Sequence, residues 1–237
     1  MIAFLTSSAY DEFENIQTKN SFLDNLKKYW NKVSNVLYIA SFPDAYDITD
    51  EYANKHHKAY LDAGLLISSF TVLDYRNISN SNYLIDNADV IILCGGHTPT
   101  ENKFFVELNL KDKLQTFKGI IIATSAGSMN AAKIVYAQPE LPGETDKNYI
   151  KYFEGLGITN INILPHYHEY KNSIVDGLRV YEDITYKDSI GRCFYAFPDG
   201  TYLLSDGLKE YIYGETYVIK NGNISLLQED NSKTGVY

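Results

Sequence analysis

The chain has 237 residues, 45% of them apolar and 22% charged, and carries a formal net charge of −9. That length suits one α/β domain, and the apolar share supports a sizeable core. Lysines are scattered and arginine is confined to Arg76, Arg179 and Arg192, so no phosphate-tracking patch exists and nucleic acid is not an expected partner.

The chain opens on IAFLT (2–6), whose apolar stretch is too short and too poor in basic flanks for a secretory signal and reads as a first buried strand. Further apolar runs follow: NVLYIAS (35–41), LLISSFTVL (65–73), DVIILCGG (89–96) and GIIIATS (119–125). Amphipathic stretches near 11–32, 45–63, 100–117 and 126–136 lie between and after them. Strands this uniformly apolar are buried on both faces, and their alternation with helices implies βαβ units around a mostly parallel sheet with helices on both faces. Beyond about residue 160 the pattern changes to short strands joined by PDG, SDG and NG turns, which are hairpin signals. They predict an antiparallel C-terminal extension. No Pro/Gly/Ser-rich linker separates it, so one domain over 1–237 is expected. No run of about 18 apolar residues occurs, and no membrane span is predicted. Cys94 and Cys193 lie in apolar contexts without metal-ligand spacing, as reduced thiols of a cytoplasmic protein would.

Two strand ends carry distinctive sequence, CGGHTPT and TSAGSMN, and in open parallel sheets ligands bind beyond the carboxyl ends of the strands. Ser125 falls on the expected strand-to-helix turn, where several hydrolase families mount a nucleophile. Ala126 and Gly127 are small enough to let the helix approach and leave the hydroxyl open. The Ala126 N–H would lie at the helix start, where donors are free and the dipole favours negative charge. Gly95 and Gly96 allow the backbone approach that a second oxyanion donor needs.

A serine nucleophile also needs a base and an orienting acid. His56 and His57 lie in the polar stretch YANKHHKAY and read as surface residues, whereas His97 adjoins the glycine pair and could line the site. His166 and His168, in LPHYHEY, are equally placed at a strand end, with Pro165 stiffening the approach to the first. A zinc site from His166, His168 and Glu169 lacks a clear further ligand, and no metal is expected. Glu140 and Glu144, in the proline-bracketed loop YAQPELPGETD, are both candidate acids.

Taken together, these stretches resemble the S51 family of serine peptidases, the dipeptidase E and cyanophycinase-like group. The resemblance runs from ADVIILCGGHT through YGETYVI and weakens before residue 80. The family's Gly-x-Ser-Ala-Gly-Ala corresponds to Ala123-Thr-Ser125-Ala-Gly-Ser128, with small residues exchanged for small at both ends. Its glycine-rich strand end followed by Asn-Thr is similar to Cys94-Gly-Gly-His97-Thr98, and the family's second oxyanion donor maps to Gly96. Its Pro-His-aromatic sequence falls on Pro165-His166-Tyr167, which favours His166 over His168. An acid fifteen residues after the serine and two before a proline maps to Glu140, with Glu144 as a rival. FPDGTYL resembles the family's Pro-acid-Gly turn and makes Asp199 a possible pocket residue, as His97, Glu144 and His168 are.

The fold this resemblance implies is the class I glutamine-amidotransferase-like α/β sandwich, in three layers. The activity it implies is hydrolysis of short peptides through an acyl-enzyme, with a Ser125–His166–Glu140 triad, an oxyanion hole at Gly96 and Ala126, and no cofactor. A preference for N-terminal aspartate would need a cation, for which Arg179 and Arg192 are the candidates. Two other readings share the fold: a silent ligand-binding protein, and a glutaminase-type amidotransferase domain, which would carry cysteine where Ser125 stands.

Overall fold

The computed structural model describes residues 1–236. Its central layer is an eight-stranded sheet. β1 (Ile2–Thr6) leads through α1 (Phe22–Tyr29) to β2 (Ser34–Ile39), then through α2 (Tyr46–Asp62) to β3 (Ile67–Leu73). After α3 (Ser81–Asp86) come β4 (Val90–Leu93), α4 (Thr98–Glu107), α5 (Leu110–Leu114), β5 (Ile120–Thr124) and α6 (Ala126–Asn130). Hairpin strands β6 (Ile134–Tyr136) and β7 (Tyr152–Glu154) precede β8 (Asn162–Leu164) and the one-turn α7 (Tyr167–Tyr170). A second hairpin, β9 (Ile174–Val175) and β10 (Leu178–Arg179), is followed by β11 (Cys193–Ala196), β12 (Tyr202–Ser205), β13 (Glu210–Tyr213), β14 (Thr216–Lys220), β15 (Asn223–Gln228) and β16 (Lys233–Val236).

The large sheet runs β16-β13-β12-β1-β5-β4-β2-β3. Its β1, β5, β4, β2 and β3 are parallel, in the register Phe4↔Ile122 and Ile92↔Ile122. The other three strands continue it antiparallel. Residues along each central strand alternate between two cores. Leu5, Leu37, Ile91 and Ile121 pack toward Phe104 and Phe105 of α4. Phe4, Tyr38, Ile92 and Ile122 pack toward Leu26 of α1 and Tyr60 of α2. Both faces are therefore covered, which is why these strands read as continuous apolar runs.

The C-terminal extension divides. β12, β13 and β16 extend the main sheet, while β15-β14-β11-β8 form a separate sheet around Phe194, Leu164, Ile219 and Tyr136. Three expected helices are shorter than the sequence pattern suggests. The stretch 11–32 is helical only from residue 19, because Asp11 Oδ1 accepts the N–H groups of Phe13 and Asn15 and folds the preceding residues into a turn. The stretch 100–117 breaks at Asn109, which adopts a left-handed φ of 50°. The stretch 126–136 stops at Asn130. There the carbonyls of Asn130, Ala131 and Ala132 accept N–H groups from residues 156–158, and β-branched Ile134 and Val135 turn to strand. Among the described residues no helix is long and apolar enough to cross a membrane.

Candidate active site

Ser125 occupies the one-residue turn between β5 and α6 with φ 50° and ψ −117°, a conformation that non-glycine residues avoid. Such strain amounts to about 1–3 kcal/mol and persists only where neighbours enforce it. Here they do. The Ser125 N–H is shared between the carbonyls of Thr6 and Ser7, each at 3.1 Å, and its own carbonyl accepts from Ser128 and Met129. The buried Ser128 hydroxyl is shared between the carbonyls of Thr6 (2.8 Å) and Ala123 (2.9 Å), pinning α6 to both β1 and β5. This gives the final serine of the motif a structural role where the family pattern has alanine.

The glycine pair follows β4 and passes beside Ser125. A Cβ on Gly95 would lie 3.1 Å from the Ser125 Cβ, and one on Gly96 would lie 2.6 Å from Ser41 Oγ. The Ser41 hydroxyl donates to the Gly95 carbonyl at 2.7 Å and fixes the loop. Among the described residues, the N–H groups of Gly96 and Ala126 donate to no protein acceptor.

His166 follows β8 and Pro165, in a left-handed conformation (φ 54°, ψ 36°) that starts α7. Its Nδ1 lies 2.7 Å from Asp199 Oδ1. Ser7 ties the pair together: its hydroxyl donates to the same Asp199 oxygen at 2.7 Å and accepts the His166 N–H at 2.7 Å. With a carboxylate at Nδ1, the proton resides there and leaves Nε2 as the free base. Partial burial pushes the Asp199 carboxyl up, but the hydrogen bond and charge of His166, the Ser7 hydroxyl and the Lys19 charge outweigh it and hold the group below its ordinary range. The expected Glu140–His166 hydrogen bond is absent among the described residues, because the Pro198–Gly200 turn after β11 brings Asp199 to the imidazole instead.

The two glutamates of the 139–149 loop divide their work. Glu144 is buried and faces inward. Its Oε1 meets His97 Nε2 at 2.7 Å, and its Oε2 accepts the N–H groups of Glu140 (2.7 Å) and Leu141 (2.9 Å). His97 Nδ1 is engaged by Thr100 Oγ1, so both nitrogens of that ring are occupied. The His97–Glu144 contact thus clamps the loop to the glycine strand end. Truncation Glu144→Ala is expected to lower stability by about 2 kcal/mol or more, since it strands two amides and an imidazole. Urea unfolding checks this, with faster proteolytic nicking within 139–149 as the local sign. Glu140, freed from the clamp, points into the cavity at Ser125. Enclosure by the cavity pushes its carboxyl up to about 7, with Glu144 adding to the effect and the charges of His97 and His166 opposing it. Glu140 is nonetheless an exposed residue, so water reaches its carboxyl.

Of the other expected residues, His168 turns outward to Glu215 Oε2 at 2.9 Å and lines no cavity at Ser125. It belongs to α7 and not to a strand, so the two histidines do not share a face. The atoms that come within 4.8 Å of one another and could hold a metal are those of His166, Glu169 and Asp199. A cation there would take the imidazole and carboxylate that proton transfer needs. Arg179 pairs with Asp183 at 2.9 Å, Arg192 lies over the Tyr152 ring at 4.3 Å, and Arg76 is held by Asp50 and Asp74. None faces Ser125.

Two cavities meet at Gly96, Ser125 and His166. One, of about 490 Å³, extends past Pro139, Glu140 and Leu141 to Tyr170 and Val180. The other, of about 450 Å³, extends past Ser8, Tyr10 and Ser41 to α2. A larger cavity of about 620 Å³, beneath Ile2, Gly119 and Ile120, opens at the opposite ends of the strands, far from this constellation. Position at the carboxyl ends favours the smaller pair as the site. Ser7, His56 and the tyrosines of the second cavity were not legible as site residues, because only the sheet brings them beside Ser125.

The sequence matches the profile of peptidase family S51 over residues 3–209. No curated protein matches it significantly. Among solved structures, a peptidase from an acI-B1 Actinobacterium superposes with a TM-score of 0.67 at 16% identity, covering 99% of this chain and 96% of that one. A putative peptidase E protein from Listeria monocytogenes EGD-e superposes with a TM-score of 0.61 at 15% identity, covering 96% and 98%. At these identities the likeness concerns the fold.

Proposed function

Because the chain belongs to peptidase family S51 and is a serine-type peptidase, we propose that Ser125 is its nucleophile, His166 its general base and acid, and Asp199 the carboxylate that orients the imidazole. The observation that carries this reading is the strained Ser125 elbow sharing its cavities with His166, whose Nδ1 is held by Asp199. Ser125 Oγ attacks the scissile carbonyl carbon while His166 Nε2 takes the hydroxyl proton. The N–H groups of Gly96 and Ala126 stabilise the oxyanion, each donor contributing about 3 kcal/mol to the barrier reduction. Collapse breaks the C–N bond as the imidazolium protonates the leaving amine. Water, deprotonated by the same Nε2, then cleaves the ester and restores the serine.

The substrate is a short peptide with a free amino terminus. Among the described residues, Glu140 is the only Asp, Glu, Lys or Arg lining its cavity. It suits an α-ammonium group, as a charge-assisted acceptor in the same cavity as the reacting serine. An aspartyl preference finds no support in the lining, since among the described residues neither cavity contains lysine or arginine. We therefore assign neutral amino-terminal residues as preferred. Because the Glu140 carboxyl is raised to about 7, its binding-competent anion grows as pH rises through that value. A peptide α-amino group loses its proton near pH 8. KM should accordingly be lowest between about 7 and 8, and Glu140→Gln should raise it about tenfold, remove the acidic limb and change kcat much less. Steady-state kinetics from pH 5.5 to 9 checks each point.

Intact-mass labelling with a fluorophosphonate tests the nucleophile directly. One adduct is expected on the wild type and none on Ser125→Ala or His166→Ala. A folded wild type that stays unlabelled and cuts no peptide overturns the assignment.

A further inference from the structure

The two cavities at Ser125 differ in chemistry. One holds Glu140, whereas the other is lined, among the described residues, by no Asp, Glu, Lys or Arg. The wall of this uncharged cleft is built mainly by Tyr10, Tyr38, Phe42, Ile48, Tyr52 and His56. Tyr10 stacks on His56 with ring centroids 3.8 Å apart and 7° between planes. The Tyr38 hydroxyl meets His56 Nδ1 at 3.0 Å, and the Tyr10 hydroxyl donates to Tyr60 at 3.3 Å. These contacts engage the polar tips and hold the rings in place. Burial lowers His56 to about 4, with the Lys55 charge adding to the effect, so the ring is neutral at neutral pH. At the rim, Phe42, Ile48 and Tyr52 remain 37%, 55% and 49% exposed. Large apolar side chains gathered on the lip of a cleft that ends at a nucleophile are surface for a ligand to cover.

We infer, on the serine-peptidase reading above, that this cleft receives the aromatic or long aliphatic side chain of the residue on the carboxyl side of the scissile bond. The order follows from continuity. With the ammonium held at Glu140 and the scissile carbonyl at Ser125, the next residue can only enter the other cavity, which also touches Gly96, Ser125 and His166. A charged side chain there would lose its hydration without gaining a partner. An aromatic one would exchange water for the rings and cover the exposed rim.

The test compares hydrolysis of the C-terminal amides of Ala-Phe, Ala-Leu, Ala-Ala and Ala-Lys by the full chain, with that of Phe-Ala as the reversed pair, so that no α-carboxylate enters the uncharged cleft. Ala-Phe is expected to exceed Ala-Ala by about tenfold or more in kcat/KM, and Tyr52→Ala or Ile48→Ala to cut that ratio to about threefold or less. Equal rates across second residues, or a preference for Phe-Ala, overturn the inference, while the fluorophosphonate adduct shows that the peptidase reading still stands. Should no adduct form and no peptide be cut, that reading fails, and calorimetry on the same dipeptides decides the cleft alone. Tighter binding of Ala-Phe by about tenfold supports it, and equal binding overturns it.

Discussion

Asp199→Asn is expected to lower kcat by roughly 10³- to 10⁴-fold with the fold intact. The reason lies in one oxygen. Asp199 Oδ1 accepts both the His166 Nδ1–H and the Ser7 hydroxyl. It thereby fixes the tautomer that leaves Nε2 free and offsets the positive charge that develops on the ring. An asparagine that turns its amide nitrogen to His166 donates to Nδ1, moves the ring proton to Nε2 and removes the base. One that keeps its oxygen there still lacks the charge. Glu140→Gln, by contrast, is expected to act chiefly on KM. Comparing kcat for the two variants, with circular dichroism to verify folding, separates the two carboxylates. A fall of about 10³-fold or more in Glu140→Gln with near-normal kcat in Asp199→Asn would return the orienting role to Glu140.

That contrast also marks the limit of what sequence alone conveyed. Four of the five parallel strands were legible because each is apolar on both faces, and the elbow because Ser125 sits between a strand and three small residues. β3, at the sheet edge with Ser68 and Ser69 exposed, was legible from the apolar residues around them. Glycine was needed at 95 and 96 for close approach to Ser125 and Ser41, and that requirement is visible in the string itself. The partner of His166 was not. The family resemblance pointed to Glu140, but chain distance says nothing about how the 139–149 loop folds. The His97–Glu144 clamp decides that Glu144 faces inward and Glu140 faces the cavity. Asp199 reaches His166 through a different strand, β11, which pairs with β8 in a small sheet whose existence no local pattern announces. His56 was misplaced for a related reason. Its neighbours in the chain are polar, yet Tyr10 and Tyr38 converge on it from two separate strand ends.

The same logic makes Gly127→Ala the most damaging single-methyl change at the elbow. An added Cβ would lie 2.6 Å from the Leu93 carbonyl oxygen and 2.8 Å from that of Cys94, both backbone atoms of the neighbouring strand end. Neither can rotate away as a side chain would. The helix must lift, weakening the Gly127 N–H bond to the Cys94 carbonyl, now 3.1 Å, and loosening the shared Ser128 hydroxyl beneath. Overpacking of this kind destabilises by about 1–3 kcal/mol. The effect on chemistry should be larger, because α6 carries both the nucleophile's support and the Ala126 donor. A shift of about 1 Å between reacting groups lowers rates by about 10²-fold. Urea midpoints measure the first effect and the rate of fluorophosphonate labelling the second, under conditions where the variant is fully folded. Gly143→Ala provides the contrast: its φ of +94° is strained for alanine, but no atom lies within 4 Å of the new methyl. It should lose stability without slowing the labelling of Ser125. Were Gly127→Ala labelled as fast as the wild type, close seating of α6 against β4 would not be what aims the serine, and the strain at Ser125 would need another role.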